Sequence, residues 1–163
     1  GGDLKVTSRK DAGSTFRFTA LVERVEAPPS ADPDGAPTAA ARPLKILCAE
    51  DNPYGRVVMN TILRELGHTV DFVESGEAAV KAAARGGYDA VLMDVALAGF
   101  DGLEATRRIR ALPGKAGQVA VIGISGRTEA GDEDAARAAG MNFYFTKPVS
   151  PSRLVQALAG AAK

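Results

Sequence analysis

Polar residues that could carry out chemistry stand directly after four short apolar stretches of this sequence. In chain order they are Glu50 and Asp51, Asp94, Ser125 and Lys147. A short stretch that is apolar at every position is typical of a buried strand in a parallel sheet. Because the carboxyl ends of such strands form the ligand crevice of open α/β sheets, we expect these side chains to meet at one edge.

The carboxylates among these residues indicate a divalent metal. Three carboxylates that converge at one sheet edge repel one another unless a cation neutralises them. A ligand set made only of oxygen atoms suits Mg²⁺ rather than zinc. The sequence therefore predicts a Mg²⁺ site formed by Glu50, Asp51 and Asp94.

With a metal in place, Asp94 is a candidate nucleophile, because carboxylates form covalent aspartyl phosphates. Phosphoryl transfer depends mostly on positioning and on charge neutralisation, and Lys147 would supply positive charge to the phosphoryl oxygens. Ser125 offers a hydroxyl that could hydrogen-bond another of these oxygens and convert the chemistry into a change of shape. The predicted reaction is phosphoryl transfer to Asp94.

The stretches that would position these residues alternate with segments of helical periodicity. Five candidate strands cover Lys45–Ala49, Val70–Val73, Ala90–Met93, Val119–Ile124 and Phe143–Thr146. Five candidate helices lie near Tyr54–Leu66, Gly76–Arg85, Leu103–Ala111, Ala130–Ala139 and Ser152–Ala161. This alternation over roughly 120 residues predicts an α/β fold with a doubly wound, five-stranded parallel sheet.

The residues before this domain divide into a strand-like segment and a linker. Residues 1–25 alternate apolar and polar side chains in the manner of a β-hairpin. Residues 26–43 contain five prolines and no large apolar residue, which predicts a linker without a fold of its own. The domain would occupy residues 44–163. Since the chain begins at Gly1 without a methionine, we expect it to be a piece of a longer protein.

The composition excludes several classes of function. Twenty basic residues balance twenty acidic ones, so the chain has no net charge that would attract nucleic acid. No apolar run approaches the ~20 residues that cross a bilayer, which predicts no membrane contact by this fragment. Cys48, the only cysteine, cannot form an internal disulfide, which favours a reducing compartment and hence the cytoplasm. His68 is the only histidine and is expected to be a solvated loop residue.

Several motifs resemble the receiver domains of two-component response regulators. They are Glu50-Asp51-Asn52-Pro53, Val91-Leu92-Met93-Asp94, Asp101-Gly102, Ser125, and Gly140-Met141 with Thr146-Lys147-Pro148. The resemblance implies a flavodoxin-like fold with strand order 2-1-3-4-5. It implies that Mg²⁺ is bound by Glu50, Asp51, Asp94 and the backbone carbonyl of Ala96. It also implies that Asp94 is the phospho-acceptor, that Lys147 assists catalysis, and that Ser125 and Tyr144 form a conformational switch.

Two places in the sequence depart from the family pattern. Leu97 and Ala98 stand where Met-Pro is usual, and the loss of proline's fixed φ predicts a looser loop after Asp94. Gly126 stands where alanine usually follows the switch hydroxyl. Its missing Cβ predicts more space at the mouth of the phosphorylation site, so that water or a bulky phosphodonor enters more easily.

The beginning of the chain resembles a second family. Gly1–Ser8 and Gly13–Thr19 are similar to the last hairpin of a histidine-kinase ATP-binding domain. Together the two resemblances imply the C-terminal receiver of a hybrid histidine kinase. This fragment would lack the kinase catalytic core and would catalyse only the phosphorylation and dephosphorylation of its own aspartate. The implied partners are a histidine kinase domain, of the same or a partner chain, and a histidine-phosphotransfer protein.

The first candidate helix of the domain would supply a docking surface for such a partner. On a helical wheel its core stripe consists of Val58, Ile62, Leu63 and Leu66. A neighbouring face, close to the Asp51 and Asp94 edge, carries Tyr54, Val57 and Thr61. An exposed Val57 beside the active site is better explained by docking than by folding.

Other interpretations of the same residues lead to different functions. A degenerate receiver that only binds a partner is the main alternative. The intact set of five site residues argues against it, but the departures at Leu97, Ala98 and Gly126 keep it open. Glu50 and Asp51 could instead cap the following helix, because acidic side chains favour N-cap positions. A haloacid-dehalogenase-like phosphatase needs a second carboxylate two residues after its nucleophile, where this chain has alanine. A Rossmann nucleotide site needs a Gly-x-Gly-x-x-Gly after the first strand, which is absent from this sequence.

Overall fold

A computed structural model describes residues 2–9, 13–21, 42–97, 99–126 and 131–161 of the chain. The chain divides into two compact units, Gly1–Ala36 and Pro37–Lys163. Of the linker predicted over residues 26–43, only Arg42 and Pro43 lie within the described residues.

The first unit contains the antiparallel β-hairpin that residues 1–25 predict. Strand β1 (Asp3–Arg9) pairs with β2 (Gly13–Thr19), so that Leu4 lies opposite Phe18 and Val6 opposite Phe16. These four apolar side chains share one face, because alternate residues of a strand point the same way. Phe16 and Phe18 are 70% and 74% exposed. In the described part of this unit, the hairpin therefore has no hydrophobic core.

The second unit is built around a five-stranded parallel sheet. Its strands are β3 (Lys45–Ala49), β4 (Thr69–Val73), β5 (Ala90–Asp94), β6 (Ala120–Ser125) and β7 (Phe143–Thr146). They lie in the order β4-β3-β5-β6-β7, and each neighbouring pair is parallel. The predicted flavodoxin-like order 2-1-3-4-5 is thereby confirmed.

Helices cover both faces of this sheet. Those in the described residues are α1 (Pro53–Glu65), α2 (Gly76–Ala84), α3 (Gly102–Arg110), α4 (Lys115–Gln118), α5 (Asp132–Ala139) and α6 (Pro151–Ala161). Helices α1 and α6 pack on one face, and α2, α3 and α5 pack on the other. The single turn of α4 was not predicted, because so short a helix shows no amphipathic period. Among these described helices, none has the length and apolar character that a membrane span requires.

Alternate residues of the central strands fill the two layers of the core. Ile46 and Cys48 face the layer that contains α1 and α6, whereas Leu47 and Ala49 face the opposite layer. All four are buried, which explains why the strand is apolar at successive positions. Burial, followed by the negative charge of Glu50, raises the pKa of the Cys48 thiol to about 12. Cys48 therefore behaves as a small buried hydrophobe, as predicted.

The buried face of α1 differs from the predicted stripe. Met59 and Leu63 are buried, whereas Val58 is 57% exposed. The prediction of Val58 as a core residue is therefore wrong, because the adjacent and more adaptable Met59 fills the core instead. Ile62 packs against the core as predicted.

His68 is buried, so the expectation of a solvated loop histidine is wrong. The residue is 5% exposed, and its Nδ1 accepts a 3.3 Å hydrogen bond from the backbone N–H of Leu44. Burial lowers the pKa of His68, which favours the neutral imidazole that can act as this acceptor. The histidine thus fastens the segment before β3 to the turn after α1.

The Arg110 side chain joins several elements of the second unit. Its guanidinium donates to the carbonyls of Gly117 and Gly140 at 2.9 Å each, to that of Val119 at 2.7 Å, and to Asn142 Oδ1 at 2.9 Å. Each of these acceptors is neutral. Burial lowers the pKa of Arg110, but an arginine remains protonated in proteins. A single cation therefore links α3 to α4, to the start of β6 and to the α5–β7 connection.

Candidate functional site

The register of the sheet brings the predicted site residues to one edge. Asp94 is the last residue of β5 and lies opposite Ile124 of β6. Ser125 is the last residue of β6 and pairs with Thr146, the residue before Lys147. Glu50 follows the end of β3 and donates its backbone N–H to the carbonyl of Val73, at the end of β4. Each side chain is therefore positioned by the strand that precedes it.

Lys147 joins two of the carboxylates at this edge. Its Nζ lies 2.7 Å from Asp94 Oδ2 and 2.8 Å from Glu50 Oε2. Both carboxylates are buried, so each needs a compensating positive charge. Burial by itself would lower the pKa of Lys147, but the hydrogen bonds to Asp94 and Glu50 raise it above its ordinary value. Lys147 therefore stays charged and holds the two carboxylates together.

Asp51 completes a group of three carboxylates. Glu50, Asp51 and Asp94 each have one oxygen within 4.8 Å of the others, and Asp51 is exposed to solvent. Backbone N–H groups orient two of them, because Ala96 donates to Asp94 Oδ1 at 2.8 Å and Asn52 donates to Glu50 Oε1 at 3.2 Å. A cluster of oxygen ligands that opens to solvent fits a hard divalent cation such as Mg²⁺.

The residue that caps α1 is Asn52, and not Glu50 or Asp51. Its Oδ1 accepts a 2.9 Å hydrogen bond from the backbone N–H of Tyr54. The interpretation of Glu50 and Asp51 as capping residues is therefore wrong, and both side chains instead belong to the carboxylate cluster.

Arg56 supports the acidic pair and was not singled out from the sequence. Its Nη1 donates to the backbone carbonyls of Glu50 and Asp51 at 3.2 and 3.3 Å, and pairs with Glu74 Oε1 at 3.0 Å. An arginine in the first turn of an amphipathic helix is common on solvated faces, so its position alone gives no signal for this role.

The loop after Asp94 is held by close packing. Leu97 is buried, and Phe100 packs so tightly on α2 that a Cβ on Gly76 would lie 2.6 Å from its ring. A Cβ on Gly102 would overlap the carbonyl oxygen of Asp94, so only glycine lets α3 begin this close to the strand end. Ala98 lies outside the described residues, and the looser loop stays a prediction.

The two predicted switch residues lie on neighbouring strands. Ser125 is buried at the end of β6, and Tyr144 is half-buried on β7. Within the described part of the chain, the buried Tyr144 hydroxyl has no hydrogen-bond partner. Among the described residues, a Cβ added to the exposed Gly126 would meet nothing within 4 Å, and the wider mouth of the site stays a prediction. The switching role of Ser125 and Tyr144 stays a prediction.

The sheet order and the residues at its edge define a class of protein. Residues 46–159 match the response regulator receiver domain, and the chain belongs to this family. The family resemblance drawn from the motifs is thereby confirmed.

Similar proteins include two sensor proteins and the receiver of a third. The chain is 34% identical to the sensor protein GacS of Pseudomonas syringae pv. syringae, over 87% of this chain and 16% of that protein. It is 36% identical to the aerobic respiration control sensor protein ArcB of Escherichia coli K12, over 67% of this chain and 14% of that protein. The chain is 38% identical in sequence to the receiver domain of sensor histidine kinase PA1611 from Pseudomonas aeruginosa PAO1. The crystal structure of that receiver contains a magnesium ion in its active-site cleft. That match has a TM-score of 0.65 and covers 73% of this chain and 99% of the PA1611 receiver.

Proposed function

We propose that Asp94 accepts a phosphoryl group from a phosphohistidine, at a site where Glu50, Asp51, Asp94 and the backbone carbonyl of Ala96 hold Mg²⁺. The observation that carries this proposal is the Lys147 ammonium, which contacts Asp94 and Glu50 at 2.7 and 2.8 Å beside a third carboxylate. The magnesium ion in the active-site cleft of the PA1611 receiver supports the choice of metal.

The transfer forms one bond and breaks one. An Asp94 oxygen bonds to phosphorus while the phosphohistidine P–N bond breaks, and the imidazole nitrogen keeps the bonding electron pair. Mg²⁺, when bound, neutralises charge on the phosphoryl oxygens. Lys147 already contacts Asp94 Oδ2, so its ammonium is positioned to pair with a phosphoryl oxygen. Ser125 and Tyr144 then report the phosphoryl group to the surface. With the carboxylates and lysine all in place, a degenerate receiver is not favoured.

The chain is, in this proposal, the receiver of a hybrid histidine kinase in the cytoplasm. Residues 1–25 end an ATP-binding domain, residues 26–43 are the linker, and residues 44–163 are the receiver. The similarity to GacS and ArcB supports this assignment, although the chain spans only 16% and 14% of those proteins. The exposed apolar side chains of the hairpin also support it, since an isolated two-stranded hairpin is marginally stable.

Acetyl phosphate with Mg²⁺ is expected to add one phosphoryl group to each chain, because this small donor needs no partner protein. Removal of Mg²⁺ with EDTA is expected to reduce the rate by at least about a hundredfold, since charge neutralisation supplies much of the catalysis. Intact-mass spectrometry measures both reactions. If the chain is folded by circular dichroism but is not labelled in the presence of Mg²⁺, the result would favour a degenerate receiver that binds a partner and carries no phosphate.

The proposed docking surface for a histidine-phosphotransfer protein consists of Tyr54, Val57 and Thr61. All three are exposed, and Val57 is 65% exposed although it is apolar. The prediction that Val57 lies outside the core is confirmed. Its position on α1, five residues after the Asn52 cap at the acidic pair's end of the helix, places it near the phosphorylation site.

Val57→Glu is expected to slow phosphoryl exchange with such a protein by about tenfold or more, because a buried unpaired charge opposes apolar docking. Labelling by acetyl phosphate is expected to remain at the parent rate. Gln118→Glu on α4 adds the same charge at another exposed position and is expected to change neither reaction. Equal losses of both reactions in Val57→Glu would mean that the substitution disturbs the fold, and no loss would place the docking surface elsewhere.

A further inference from the structure

Gly55 lies against the carboxyl group of Glu50. A Cβ at position 55 would be 2.6 Å from Glu50 Cδ, 2.8 Å from Oε2 and 2.9 Å from Oε1. Real Cβ atoms do not approach other atoms so closely, so the carboxylate occupies space that any other residue would fill. These three are the nearest contacts that a side chain at position 55 would make.

The backbone of α1 gives no reason for a glycine at this position. Gly55 lies in the first turn of the helix and is not among the glycines with positive φ. Glycine is unfavourable within helices, because it loses more conformational freedom than alanine on folding. The reason for glycine must therefore be the neighbour that a side chain would displace, which is Glu50.

Glu50 has little freedom to move away. It is 4% exposed, its Oε2 is held by Lys147 at 2.8 Å, and its Oε1 accepts from the backbone N–H of Asn52 at 3.2 Å. A methyl group at position 55 would push the carboxylate off at least one of these partners. The backbone of α1 would not need to shift, since the atoms in the way belong to a side chain.

We propose that Gly55 is a positioning residue for the metal site, which keeps open the space that orients the Glu50 carboxylate toward Lys147 and the Asp51–Asp94 pair. This inference rests on the proposed Mg²⁺-dependent function. Because Gly55 would act only through Glu50, the two residues are coupled, and shortening the acidic side chain should remove the effect of a substitution at position 55.

The test is a Mg²⁺ titration of the full chain by calorimetry, on the parent, Gly55→Ala, Glu50→Asp and the double variant. Gly55→Ala is expected to weaken Mg²⁺ binding by about tenfold, the usual size of an effect exerted through a metal ligand's support. Glu50→Asp is also expected to weaken binding. The double variant is expected to bind within about twofold of Glu50→Asp alone, because the shorter carboxylate leaves room for the added methyl group.

Val58→Ala, at an exposed position of the same helix, is the control and is expected to bind Mg²⁺ like the parent. The inference would be overturned if Gly55→Ala bound Mg²⁺ as tightly as the parent. It would also be overturned if the double variant lost affinity by the product of the two single-variant factors, because the two residues would then act independently. If circular dichroism showed that the Gly55→Ala chain is unfolded, the inference would be overturned too, since Gly55 would then be needed for packing of the fold and not for the orientation of Glu50. If the parent itself does not bind Mg²⁺, the proposed function fails instead.

Discussion

Asp94→Asn is expected to abolish labelling by acetyl phosphate, with a fall in rate of at least about a thousandfold, because an amide cannot serve as the nucleophile. The amide keeps the shape of the side chain, and its one oxygen can still accept from either the Lys147 ammonium or the Ala96 N–H, which contact different oxygens of Asp94. The fold should therefore survive. Intact mass after incubation with acetyl phosphate and Mg²⁺ measures the labelling.

Asp101→Asn makes the same chemical change seven residues later and is the matched control. Asp101 caps α3, where its Oδ1 accepts a 2.8 Å hydrogen bond from the backbone N–H of Glu104. Asparagine is an equally good N-cap, so this variant is expected to label at the parent rate. Stoichiometric labelling of Asp94→Asn would show that another residue is the acceptor, and equal losses in both variants would show a general disturbance.

Arg110→Leu is expected to lower the free energy of unfolding of the second unit by about 3 kcal/mol or more. The guanidinium satisfies three backbone carbonyls and Asn142 Oδ1. Leucine leaves the three carbonyls without this donor, whereas Asn142 Oδ1 keeps the N–H of Val121. Each buried acceptor left unsatisfied costs about 1–3 kcal/mol, less where water can enter. The midpoint of thermal unfolding should fall by roughly 10 °C. Urea and thermal denaturation measure the two quantities.

Two further variants separate the role of Arg110 from the loss of a charge. Arg107→Leu removes an exposed arginine of the same helix, whose only described ion pair is with Glu104 at 3.3 Å, and is expected to cost less than about 1 kcal/mol. Arg110→Lys keeps the charge but lacks the planar fork of donors, so an intermediate loss is expected. A loss in Arg110→Leu no larger than that in Arg107→Leu would mean that these carbonyls find other partners.

The sheet could be predicted because its determinants are local. Each central strand is a short run apolar at every position, and each run ends at a polar residue, as in Ala90–Asp94. The two core layers require this pattern, since both faces of the sheet are covered. The same strand ends identified Glu50, Asp51, Asp94, Ser125 and Lys147, and the structure brings them to one edge.

What could not be predicted depends on contacts between distant parts of the chain. Arg110 bonds to carbonyls as far away as Gly140, and no period or motif marks a cation that serves neutral acceptors. His68 is buried through its contact with the N–H of Leu44, 24 residues earlier. The prediction of Val58 as a core residue is wrong because a helical wheel does not determine which of two adjacent apolar residues faces inward. A glycine within a helix that follows an acidic pair is visible in the sequence at Gly55. The reason for that glycine is the position of the Glu50 side chain, which the sequence does not show.

The hairpin of the first unit has a consequence for how the chain behaves in solution. In the two-stranded sheet that the structure describes, both strands are edge strands, and one face exposes Leu4, Val6, Phe16 and Phe18. Unpaired strand edges next to apolar side chains recruit other strands, and natural proteins usually cover or charge them. The chain in this form is therefore prone to associate edge to edge as its concentration rises. A preparation that starts at Arg42 would lack these edges, so we expect it to be more soluble than the full chain.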